Sequence, residues 1–64
     1  MLITLKDLPP NAREFAQYCI DNCEFRDVVE MVYADKREEP CAKFGITHEQ
    51  WQDAVYVVIK EMGI

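Results

Sequence analysis

Four side chains in this sequence have the donor chemistry of a zinc site: Cys19, Cys23, Cys41 and His48. Three thiolates and an imidazole can close a tetrahedron around the metal. The spacing points elsewhere. The common knuckle is Cys-x2-Cys, whereas Cys19 and Cys23 lie a full helical turn apart. Both fall on an apolar stripe, where a free cysteine behaves as a small hydrophobe. They are expected to be core residues rather than metal ligands. A Cys–His nucleophile has less support still, because there is one histidine and no identifiable acid to orient it. The acid pairs Glu38–Glu39 and Glu49/Asp53 do not face each other across a cleft, as a glycosidase pair must. They read as solvated surface. With only Gly45 and Gly63, the chain has no glycine-rich phosphate loop. No catalytic residue, cofactor site or metal site is assigned, and the chain is not expected to be an enzyme.

The size supports that expectation. Sixty-four residues make one domain, 1–64, which buries only ~60% of its unfolded surface. A chain this short rarely encloses a catalytic pocket. Twelve acidic side chains against seven basic ones give a net charge of −5. This argues against nucleic acid, whose affinity rests on Lys and Arg neutralising phosphates. It also argues against an anionic membrane surface. An odd number of cysteines, no signal-like start and no membrane-length apolar run lead to a reduced, cytoplasmic expectation.

The element that organises the chain is the last one. Thr47 and Gln50 have the spacing of a capping box, and Ile46 with Trp51 that of a hydrophobic staple. Trp51, Ala54, Val55, Val58 and Met62 then recur at helical spacing, with Gly63 as a left-handed stop. The pattern predicts a helix over Thr47–Met62. Upstream, residues 1–8 read as an arm with one helical turn after Thr4, ended by Pro9–Pro10. A first helix is expected from Asn11 to Asp21, entered either with Pro10 in the first turn or with Asn11 as its cap. Its stripe is Ala12, Phe15, Ala16, Cys19, Ile20 and Cys23. Asp21–Asn22 are candidates to cap a second helix over Glu24–Lys36, which would bury Phe25, Val28, Val29 and Val32. The run Asp35–Glu39 reads as a solvated connector. Pro40 opens a short helix to Phe44, and Gly45 ends it. The expected fold is all-α, a small three-to-four-helix domain with a short helix-turn-helix corner before the long C-terminal helix.

Such a corner suggests a DNA reader. Its recognition helix would offer His48, Glu49, Gln52, Asp53 and Tyr56 to the groove. Two carboxylates and no arginine on that face oppose phosphate, so a DNA-binding transcriptional regulator is the alternative, not the first choice. The preferred expectation is an interaction face built from Met31, Tyr33, Tyr56, Val57 and Lys60, all read as lying outside the core stripes. Aromatic and Met enrichment is typical of interfaces, and small domains often supplement a thin core by oligomerising. The expected protein is a small acidic interaction module acting as a regulator, inhibitor or adaptor. Its partners would be a second copy in a homodimer and a larger host protein with a basic patch. Accessory proteins of phages and other mobile elements are often of this size and charge, an analogy with no motif behind it.

Overall fold

The computed structural model describes residues 3–63. A 3-10 turn at Leu5–Asp7 precedes four helices: α1 (Pro10–Asn22), α2 (Phe25–Tyr33), α3 (Glu38–Phe44) and α4 (His48–Met62). The fold is all-α, and the described residues contain no strand.

The expected capping box starts α4. The Gln50 N–H donates to Thr47 Oγ1 at 3.1 Å, and the Thr47 N–H donates to Gln50 Oε1 at 3.0 Å. Two orphan donors are thereby satisfied before the first hydrophobic residue is reached. Ile46 and Trp51, the staple pair, are both buried. Trp51, Ala54, Val55 and Val58 form the anticipated stripe. Gly63 ends the helix differently from expectation. Its φ is −85°, not left-handed, and its N–H donates to the Ile59 carbonyl at 2.8 Å. What requires a glycine there is space: an added Cβ would lie 3.0 Å from Phe25 Cε1 and 2.7 Å from the Ile59 oxygen.

α1 begins with Pro10 in its first turn, the first of the two entrances expected. The missing proline N–H is one that a helix start leaves unpaired anyway. Ala12, Phe15, Ala16 and Cys19 are buried. The small residues on this face, with Ala54 on α4, let the two helices pack closely, and their contact is the most extensive in the molecule. The Arg13 guanidinium donates to the Leu8 carbonyl at 3.1 Å and ties the arm to α1. The turn expected after Thr4 is present, with the Thr4 N–H donating to Asp7 Oδ2 at 2.8 Å. Met1 and Leu2, the start of the arm, lie outside the described residues.

α2 departs most from its pattern. Its cap is Glu24, whose N–H donates to Asp27 Oδ2 at 3.3 Å, not Asp21 or Asn22. Asn22 turns back instead and donates to the Tyr18 carbonyl. Val28 is fully buried and Val29 half-buried, but Phe25 and Val32 are substantially exposed. The cause is tertiary: α2 rests chiefly on α4, with its apolar arc turned partly outward.

α2 also stops at Tyr33 rather than Lys36. The Lys36 N–H donates to the Met31 carbonyl at 3.0 Å and the Asp35 N–H to the Val32 carbonyl at 3.1 Å, the paired bonds of a Schellman motif. Asp35 takes the left-handed position usually given to glycine, with φ 55°. Its carboxylate pairs with Arg37, and the Arg37 guanidinium lies 4.8 Å from the centroid of the Trp51 ring. The charge run is therefore a built connector that covers the largest core residue. α3 starts two residues earlier than expected, at Glu38. Glu38 and Glu39 supply negative charge to its first turn, where the helix dipole favours it. Gly45 closes α3 in the left-handed conformation (φ 67°, ψ 41°), as the sequence requires.

Candidate functional site

Because α2 leans on α4, a groove stays open between α2 and the α1–α3 pair. Its volume is about 640 Å³. The floor is apolar: Phe15 and Cys19 from α1, Met31 from α2 and Phe44 from α3. Phe44 meets Phe15 at a centroid distance of 5.3 Å and Tyr18 at 5.9 Å, both tilted. Lys43 Nζ lies 5.4 Å from the Tyr18 ring and 5.9 Å from the Phe44 ring, so one lysine is stacked on the aromatic wall.

The rim is acidic on both sides. Asp27 and Glu30 stand on the α2 side, and Glu38 and Glu39 at the start of α3. Asp35 completes the rim but is paired with Arg37. Among the described residues, no lysine or arginine forms a salt bridge with Glu30, Glu38 or Glu39. Lys36 and Lys43 are the basic residues that line the groove. Five carboxylates against two ammonium groups leave its mouth net negative.

One member of the expected interaction face is not on the surface. Val57 is only 1% exposed and belongs to the core. It lies about 100° round α4 from Val58, and α1 and α2 both pack on α4, which widens the buried arc to include it. Met31 is half-buried, and its side chain lines the groove. Tyr33 is 86% exposed at the end of α2. Tyr56 is exposed on α4, with Lys60 Nζ 5.9 Å from its ring centroid one turn along the same helix. Of the five residues, Met31 alone belongs to the groove. Phe15, Tyr18 and Phe44, which the sequence reading did not assign to any site, build most of its aromatic surface. Their spacing from Met31 in sequence gave no signal of this, because the site needs three helices to form.

The thiols fall into two environments. Cys19 is fully buried, and burial, with Cys23 beside it, pushes its thiol up to about 12. Such a thiol stays protonated and inert near neutrality. Burial also raises Cys41, with Arg37 pulling the other way, and Cys41 Sγ donates to the Thr47 carbonyl at 3.6 Å. That bond ties α3 to the cap of α4. Among the described residues, no three of His, Cys, Asp and Glu gather as a metal-holding group. No helix among them is long and apolar enough to cross a membrane. No family model matches the chain, and no curated protein or solved structure matches it.

Proposed function

We propose that this chain is a non-catalytic protein–protein interaction module, a regulator, inhibitor or adaptor that docks a larger protein carrying a basic patch. The observation that supports this is the groove: an apolar floor under a rim whose carboxylates outnumber its lysines. An apolar cleft with a few charged groups at its edge is the usual form of a recognition site. Among the described residues, no three of His, Cys, Asp and Glu gather there to hold a metal. A reducing, cytoplasmic setting suits the three free thiols. The rival, a DNA-binding regulator using the α3–α4 corner, would have to approach phosphate with Glu49 and Asp53 on its reading face.

Site-specific photo-crosslinking distinguishes the two. A crosslinker replacing Lys36 at the groove should yield a protein adduct that survives nuclease and is lost in a folded Met31→Asp variant. One replacing Gln52 on α4 should yield none. An adduct from position 52 that depends on nucleic acid would replace this proposal with the regulator.

A homodimer is a second reading, supported by the exposure of Phe25, Val32 and Tyr33 on α2. Sedimentation at matched concentrations tests it: Val32→Asp should lower the mass from dimer to monomer. If the wild-type chain sediments as a monomer, that reading falls and the groove proposal stands.

A further inference from the structure

The form of the groove also specifies its occupant. We infer that it binds a basic amphipathic helix of the partner, with an apolar stripe seated on the floor and arginines along both flanks. This rests on the docking role proposed above and names the chemistry of what docks.

Three observations lead to it. First, the described residues contain no strand, so no sheet edge is offered to an extended peptide. Second, the groove is bounded by helices on both sides, and its floor combines aromatic rings with the thioether of Met31. A helix laid there can place two or three large side chains, spaced i, i+3 or i+4 and i+7, on Tyr18, Phe44 and Met31. Sulfur and ring faces accept either aliphatic or aromatic anchors. Third, carboxylates stand on both walls: Asp27 and Glu30 on α2, Glu38 and Glu39 on α3. Lys36 and Lys43 share the lining but are outnumbered by the carboxylates, and Lys43 is turned onto the Tyr18 and Phe44 rings, so a helix in the groove meets net negative charge, which favours cationic flanks. Arginine suits this better than lysine, because a guanidinium takes a carboxylate with two parallel N–H donors. The net charge of −5 adds long-range attraction for such a segment.

The test uses the full chain and a random peptide library selected against it, followed by two synthetic probes. One probe is a peptide of roughly 18 residues with Leu and Phe at i, i+3, i+4 and i+7 and Arg on both flanks. The other has the same apolar stripe with Glu in place of Arg. Binding is read by amide chemical shifts and fluorescence anisotropy. The expected result is selection of Arg-flanked amphipathic sequences. The basic probe should perturb Met31, Tyr18 and Phe44, weaken as salt is raised, and bind at least about tenfold more tightly than the acidic probe. Glu30→Lys should weaken the basic probe by a similar factor. Glu38→Gln with Glu39→Gln should weaken it in the same direction without placing positive charge in the first turn of α3. Circular dichroism checks the fold of each variant.

Selected peptides that perturb the groove but are proline-rich or uncharged would overturn this inference and leave the docking role intact. Equal affinity for the two probes would do the same. If no peptide at all perturbs the groove, the docking role itself falls.

Discussion

Trp51→Ala should remove a large share of this domain's stability, and the structure sets the scale of the loss. Trp51 is 2% exposed, is among the largest fully buried side chains, and lies under the Arg37 guanidinium. Truncating such a residue costs about 3–5 kcal/mol through lost transfer free energy and the cavity left behind. At about 0.05–0.15 kcal/mol per residue, a chain of 64 residues has a total stability of about 3–10 kcal/mol. The substitution therefore removes about 30% of the margin at the upper end of that range, and all of it at the lower end. For a domain of this size each kcal/mol moves the melting midpoint by about 4–8 °C, so the drop should exceed about 12 °C. Trp51→Phe is the control. Its ring still fills most of the site, and the indole Nε1 has no hydrogen-bond partner among the described residues, so removing it forfeits no bond. Its cost should be about 1–2 kcal/mol, with a folded protein remaining. Thermal and urea melts followed by circular dichroism measure both. A Trp51→Ala melt that overlays the wild type would refute the placement of this residue at the centre of the core.

Val57→Asp should also fail to fold, because it puts an unpaired charge into a fully buried site, and loss of the helical signal at 25 °C would register this. Gly45→Ala should cost about 1–2 kcal/mol in a urea melt, since alanine must hold a left-handed φ of 67°, while the space around it is open enough for a methyl group. Alkaline pH should weaken the fold through Cys19. Its folded-state thiol is pushed up to about 12 and the unfolded chain ionises near 9, so the contribution is intact below about pH 9 and is lost as pH rises from there toward 12. The slope from one such proton approaches 1.4 kcal/mol per pH unit. Urea melts across that range should be measurably flatter for Cys19→Ala, and identical slopes would sink the assignment.

What could be read from the chain in advance was what depends on near neighbours. The capping box of Thr47 and Gln50, the left-handed Gly45 and Pro10 in the first turn of α1 each involve residues within a few positions of one another. The stripe Ala12, Phe15, Ala16, Cys19 was equally legible, because a single face of α1 is buried. Val57 was not, since its burial depends on two helices approaching α4 from different sides. Phe25 and Val32 belong to an apolar arc, and the pattern cannot say which edge of the arc the rest of the fold will cover. The end of α2 was hidden by Asp35, which takes the conformation of a glycine and then holds Arg37 over Trp51. The groove had no local signature at all. Its floor draws on residues from Phe15 to Phe44, and it exists only because α2 leans toward α4.

The dominance of α4 in the core also governs when the protein can fold during its own synthesis. Among the described residues α4 supplies Trp51, Ala54, Val55, Val57 and Val58, and the largest helix–helix contact joins it to α1. A nascent chain that has not yet released α4 from the ribosome holds α1, α2 and α3 without the helix on which α1 and α2 make their main contacts. Short helices without tertiary support are marginal in water. The sequence before His48, nearly three-quarters of the chain, should therefore emerge as a fluctuating, protease-sensitive segment that collapses in one step when α4 is free. Ribosome-bound chains stopped before His48 should be cut readily, and chains extended past Met62 and clear of the exit tunnel should resist.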